Sequence, residues 1–131
     1  MFSHVMLGAE DIESSKNFYN ETLATLGYEP GVHAPNSEGI NRYFYISEAG
    51  IFMISEPIDG NPATYGNGST VGFLANDQDA VDAWHAAGIA HGGTTCEDPP
   101  GIRESDIGKY YMAYLRDPCG NKICALNRVE D

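Results

Sequence analysis

The feature that most constrains the fold is an approximate repeat of the first half of the chain in the second half. A shift of 66 positions aligns Val5 with Val71, Ala9 with Ala75, Asp11 with Asp77, Phe18 with Trp84, Gly27 with Gly93 and Tyr45 with Tyr111. Near the end the shift grows to 70, which aligns Gly50 with Gly120. A single match means nothing, but their order indicates an internal duplication of about 65 residues. Chance matching is the alternative.

Both halves predict the same succession of a strand, a capped helix and further strands. Residues 2–9 are typical of a strand, and Asp11 can cap a helix that runs to about Leu26, where Gly27 favours termination. Residues 42–47 and 50–56 then predict a hairpin, after a loop at 31–39. In the second half a strand at 70–76 precedes a helix capped by Asp77. We expect one domain over residues 1–131, with module one at about 1–56, a linker at 57–69 and module two at about 70–128.

Composition narrows the class of protein. The chain has 131 residues, of which 42% are hydrophobic, so one globular domain is expected. A net charge of -12 would repel a phosphate backbone and makes nucleic acid an unfavourable partner. No stretch suits a membrane helix or a signal peptide, which predicts a cytoplasmic protein. The three cysteines, Cys96, Cys119 and Cys124, form no CxxC pair and are expected to be free thiols.

Several segments resemble the vicinal-oxygen-chelate superfamily, and together they span nearly the whole chain. They are HVMLGAEDIESSKNFY near the start, YYMAYLRDPCGNKICAL near the end, and PIDGNPATYGNGSTVGF, DAVDAWHAAG, PPGIRE and RDPCGNKI within or between them. The combination is similar to bacterial glyoxalase/bleomycin-resistance/dioxygenase proteins. The resemblance implies an α+β fold of two βαβββ modules, whose curled mixed sheets surround a shared cavity, commonly in a homodimer.

The resemblance also implies where a metal would bind. Metal-dependent members take donors from the first strand of each half, usually His, and from the last strand, usually Glu. The matching positions here are His4, Thr70, Ile54 and Cys124, of which only His4 is the expected ligand. Glu56 lies two residues beyond Ile54, so a set of His4, Glu56 and Cys124 is the candidate site for zinc, nickel, manganese or iron. A cavity without a metal is the equal alternative to this metal site. In that case Cys124 is a buried residue and His4 is hydrogen-bonded within the protein.

Arginines beside aromatic residues suggest a ligand site in the cavity. The candidates are Arg42, Tyr45, Arg103 and Tyr111, a set that suits an anionic or planar molecule, although core packing also explains the tyrosines. The working hypothesis is a small-molecule-binding member whose metal centre is lost or altered. The alternatives are a divalent-metal-dependent lyase or isomerase similar to lactoylglutathione lyase, and a dioxygenase-like enzyme. No catalytic residue is assigned.

Overall fold

The computed structural model describes residues 1–129, which form eight strands and two helices. The first module contains β1 (His4–Gly8), α1 (Ile12–Ala24), β2 (Val32–His33), β3 (Arg42–Ser47) and β4 (Gly50–Ser55). The second contains β5 (Val71–Leu74), α2 (Gln78–Ala90), β6 (Thr94–Ser105), β7 (Gly108–Arg116) and β8 (Lys122–Arg128). Residues 56–70 connect the two. The short β2 lies in a segment that the sequence predicted as loop.

Each module folds its four strands into one mixed sheet. The strand orders are β1-β4-β3-β2 and β5-β8-β7-β6, with β1 parallel to β4, β5 parallel to β8, and the other pairs antiparallel. The predicted α+β fold of two βαβββ modules is therefore confirmed. Within residues 1–129 no ladder joins the sheets, so β1 and β5 are both edge strands. We call the boundary between these two edges the seam.

The two helices begin in the same way, as the repeat predicts. The Asp11 carboxylate accepts a hydrogen bond from the Ser14 backbone N–H at 3.2 Å, and Asp77 accepts one from that of Ala80 at 2.7 Å. Each carboxylate satisfies an N–H that has no partner inside its helix. Gly27, which follows α1 closely, has a φ of 93°, a conformation that favours glycine.

One hydrophobic core lies against both sheets and both helices. Phe18 of α1 and Trp84 of α2 are each 0% exposed, and Phe52 of β4 contacts Phe73 of β5 with ring centroids 5.1 Å apart. Complete burial of a large apolar side chain, as at Phe18, stabilises the fold by about 1.5–3 kcal/mol. The Phe52–Phe73 contact crosses the seam, so side chains hold the modules together where the backbone does not.

Strand alternation fixes which side chains face away from this core. On β4, Phe52 and Ile54 belong to the core, so Met53 and Ser55 point to the opposite face. On β8, Ile123 and Ala125 belong to the core, so Lys122 and Cys124 point away. We call these surfaces, which face away from the core, the open faces of the sheets, although Met53, Ser55 and Cys124 on them are buried. They carry exposed apolar side chains, including Met6 (52% exposed), Ile46 (60%) and Leu74 (62%).

Neither helix in the described part of the chain is both long and apolar enough to span a membrane.

Candidate functional site

A cavity of about 250 Å³ lies at the seam, between β1 and β4 of the first module and β5 of the second. Its walls are mainly apolar: they include Val5, Leu23, Phe52, Val71 and Phe73. Tyr28 and Tyr45 add aromatic surface, and His4 and Ser47 are among the few polar residues. We call this the seam cavity, and a mainly apolar concavity with a few polar groups is the type of site that small molecules generally use.

The seam cavity follows from the way the two modules meet. Val5 and Val71 occupy matching positions of the repeat, and both present side chains to the space between the edge strands. Because β1 and β5 share no ladder, side chains must fill the seam, and they leave a space at the end where β1 begins. Gly50 starts β4 at this end. Its φ of 150° is a conformation in which a side chain would be strained, and a Cβ here would lie 3.5 Å from the Phe2 carbonyl oxygen.

Tyr45, a predicted ligand-binding residue, lines the seam cavity with its ring. Its hydroxyl donates to the Asn20 Oδ1 atom at 2.8 Å, and the residue is only 4% exposed. Burial raises the pKa of this phenol far above its usual value of 10.0, so the hydroxyl stays protonated at any physiological pH. Tyr45 therefore offers apolar ring surface and no charge.

His4, the predicted first-strand metal ligand, also lines the seam cavity. Its Nδ1 atom is 2.8 Å from the Ser3 hydroxyl oxygen, and the side chain is exposed. The imidazole is thus available at the rim as a hydrogen-bonding group.

The three predicted metal ligands are not grouped together among residues 1–129. Glu56 follows the end of β4, where its Oε1 atom accepts a hydrogen bond from the Asn41 backbone N–H at 2.8 Å. Its strand parity is that of Ile54, which is 0% exposed in the core, whereas Cys124 is on an open face. Among residues 1–129 no three His, Cys, Asp or Glu side chains are grouped closely enough to hold a metal ion.

The chemistry of the remaining donors gives the same result. Burial raises the pKa of Cys124 to about 11, which disfavours a free nucleophilic thiolate, and this soft thiol stands where the expected pattern has a hard carboxylate. Met53 and Ser55 flank the core residue Ile54 and lie on the open face of β4. They offer a thioether and a hydroxyl group in place of a carboxylate. The residues present do not fit a divalent metal site of the expected pattern within one chain.

Arg42 lies outside the seam cavity. Its Nε atom donates to the Ala34 carbonyl oxygen at 2.9 Å, and its guanidinium covers the Phe44 ring, with 5.2 Å between Cζ and the ring centroid. Arg42 pairs with Ser55 in the β3–β4 ladder, whereas the seam cavity borders the opposite end of that hairpin, at Ser47 and Gly50. The predicted grouping of Arg42 with Tyr45 around one ligand is not found in this chain.

Arg103 and Tyr111 also lie away from the seam cavity, and both have structural partners. Arg103 donates to four backbone carbonyl oxygens, those of Asp98, Pro99, Gly101 and Met112, at 2.8–3.1 Å. These bonds brace the irregularity of β6 between Cys96 and Gly101. The Tyr111 hydroxyl donates to Asp82 of α2 at 2.7 Å, which ties β7 to the helix.

A second, more polar pocket of about 200 Å³ borders the other end of the seam. Its lining includes Met6, Tyr65, Ser69, Thr70 and Lys122. The Lys122 ammonium is paired with the Glu97 carboxylate and lies 5.0 Å from the centroid of the Tyr114 ring. Its charge is already compensated, so this pocket offers hydroxyl groups more than a free cation.

Sequence reasoning missed most of the seam cavity. Val71, Phe73 and Ser47 were not singled out, because apolar strand residues have no chemical signature of their own. One signal was present: the repeat pairs Val5 with Val71, and the two edge strands of such a duplicated fold are the natural place for the modules to meet.

Comparison with known proteins identifies the family. The model of the Glyoxalase/Bleomycin resistance protein/Dioxygenase superfamily matches residues 1–125. The chain belongs to this superfamily. It is 62% identical to a glyoxalase/bleomycin resistance protein from Albidiferax ferrireducens T118, whose crystal structure superposes with a TM-score of 0.91, covering 98% of this chain and 99% of that one.

More distant structures share the superfamily fold alone. A glyoxalase-related enzyme from Fulvimarina pelagi has a TM-score of 0.70 at 18% identity, covering 98% of this chain and 88% of its own. Lactoylglutathione lyase from Agrobacterium tumefaciens has a TM-score of 0.63 at 18% identity, covering 97% and 92%. No curated protein gives a significant match.

Proposed function

We propose that this superfamily member binds a small molecule in the seam cavity and has lost or altered the usual metal centre. The observation that carries the proposal is the cavity itself, which is formed by apolar side chains of both modules and has His4 and Ser47 as hydrogen-bonding groups. A volume of about 250 Å³ exceeds that of an engineered cavity of about 150 Å³ that binds benzene. A site of this kind can sequester a molecule without catalysing a reaction.

The chain's own donors argue against a metal-dependent lyase, isomerase or dioxygenase. Chelation of two substrate oxygens needs three or four protein donors with positions left open. Only His4 matches the expected pattern, since Glu56 accepts a hydrogen bond from the Asn41 backbone N–H and Cys124 is a thiol in place of a carboxylate. The proposal therefore assigns His4 to ligand contact at the rim.

Elemental analysis of protein purified without a histidine tag tests this part, together with His4→Ala and Cys124→Ala. We expect no stoichiometric metal, even after zinc, nickel, manganese or iron is added back. Near-stoichiometric metal that is lost in both variants would overturn the metal-free proposal and direct attention to lyase and dioxygenase assays.

The proposal includes a homodimer in the cytoplasm. Support for a second copy comes from Met6, Ile46 and Leu74, which are more than half exposed on the open faces and would be covered by another sheet. Support for a reducing compartment comes from Cys96, Cys119 and Cys124, all of which are free thiols. Light scattering during size-exclusion chromatography should give twice the 14.2 kDa mass of one chain, and the mass of a single chain would contradict the dimer.

Ligand binding is tested by a fragment screen observed through backbone amide resonances. We expect hits to shift the resonances of Val5, Phe52, Val71 and Phe73, which lie on the cavity walls. Hits that shift only open-face residues such as Tyr114 and Cys124 would contradict the seam cavity as the binding site.

A further inference from the structure

Within residues 1–129, the residues that line the seam cavity include no Asp, Glu, Lys or Arg. About one residue in five of the whole chain is Asp, Glu, Lys or Arg, yet none of these occurs among the residues that line the cavity. His4 contributes an imidazole to the lining, and it stands at the exposed rim. A ligand bound there would meet aromatic and aliphatic groups on most sides.

Such walls disfavour a charged ligand. Removing a charge from water without a partner charge costs far more than apolar contacts return. Arg42 and Arg103, the arginines that made an anion attractive from the sequence, lie elsewhere and donate to backbone carbonyl oxygens. The net charge of -12 adds a long-range field that repels anions further.

The aromatic residues on the walls favour a ligand that contains a ring. Tyr45 and Phe52 line the cavity with centroids 6.0 Å apart, and Phe73 stands nearly perpendicular to Phe52, at 84°. Aromatic surfaces arranged in this way favour edge and offset contacts with another ring. The polar groups are concentrated in His4, Ser3 and Ser47, so one hydrogen-bonding substituent of a ligand can be satisfied near the rim.

We infer that the ligand of the seam cavity is an uncharged molecule of one or two rings with a single hydrogen-bonding substituent. This inference rests on the proposed function and replaces the anionic ligand that the sequence suggested. Recognition comes from apolar area and ring contacts, with His4 orienting the polar end.

The test compares three probes of one shape and different charge: naphthol, naphthoate and naphthylmethylammonium, titrated by calorimetry at neutral pH. We expect naphthol to bind at least about tenfold more tightly than either ion.

Val71→Phe, which places a ring in the cavity, should weaken naphthol binding by about tenfold or more, and Val5→Phe should do so from the opposite wall. Val32→Phe makes the same change on a residue that is 55% exposed on β2 and outside the cavity, so it should leave affinity within about twofold.

The outcomes separate the two proposals. Tighter binding of naphthoate or of the ammonium probe, weakened by Val71→Phe, would overturn the uncharged ligand and leave the seam cavity as a binding site. Naphthol binding that neither cavity variant weakens would place the site elsewhere and overturn both. Failure of all three probes to bind would also count against both, since the cavity would then reject the ring size that its volume admits.

Discussion

The two modules share their topology but differ at the turn that joins their last two strands. In the first module, the turn between β3 and β4 is held by the Ser47 hydroxyl, which donates to the Gly50 carbonyl oxygen at 2.9 Å, and Glu48 is exposed. In the second, Asp117 is 4% exposed between β7 and β8 and accepts hydrogen bonds from the backbone N–H groups of Cys119 and Asn121, both at 2.9 Å.

The turn of the second module also reaches into the first. The Tyr19 hydroxyl of α1 donates to Asp117 at 2.6 Å, and the Asn121 side-chain amide donates to the Gly8 carbonyl oxygen of β1 at 2.9 Å. Among residues 1–129, the turn of the first module makes no hydrogen bond to the second module. The two modules therefore share the packing of the helix on its sheet, whereas these polar connections between modules come from the turn of the second module.

The largest expected effect tests the shared part of the design. Phe18→Ala and Trp84→Ala should each lower the free energy of unfolding by about 3–5 kcal/mol, because both side chains are fully buried at matching positions of the repeat. Urea denaturation measures the change, with Ile58→Ala, 72% exposed in the connecting segment, as a control expected within about 0.5 kcal/mol. A loss below about 1 kcal/mol for either aromatic variant would mean that the two helices do not play equivalent parts.

The next effect tests the difference between the turns. Asp117→Ala should cost about 2–3 kcal/mol, because it leaves the buried Tyr19 hydroxyl and nearby N–H groups without an acceptor. Glu48→Ala, at the corresponding turn, should change stability by no more than about 0.5 kcal/mol. Chemical denaturation measures the free energy of unfolding of both variants. Equal losses of stability would contradict the view that the second module's turn stabilises the fold more than the first module's turn.

Backbone features were predictable from the sequence because each has a local cause. The Asp11 and Asp77 caps, the helix stripe with Phe18 and the break near Gly27 depend on residues within a few positions of one another. The repeat then fixed the order of elements in the second half. β2 was missed because two residues without alternation leave no pattern to detect.

The structure separates site residues that the sequence analysis grouped together. His4 and Tyr45 do line the seam cavity, but Glu56 was grouped with Cys124 although its parity is that of the core residue Ile54. An error of one residue in strand register moves a side chain to the opposite face. The arginines lie away from the seam cavity, and the sequence could not show this: it shows that a guanidinium is present but not whether backbone carbonyl groups already accept its hydrogen bonds, as they do at Arg103.

The smallest effect concerns Arg103, which braces a feature found only in the second module, the irregular β6. Arg103→Lys should lower stability by about 1 kcal/mol, because a lysine ammonium cannot serve four carbonyl oxygens with the geometry of a guanidinium fork. Arg128→Lys, on the exposed end of β8, is the matched control and should have no measurable effect. Naphthol affinity should be unchanged in both variants, since neither residue lines the seam cavity. A loss of affinity without a loss of stability in Arg103→Lys would return this arginine to the ligand site and make the second module's sheet part of it.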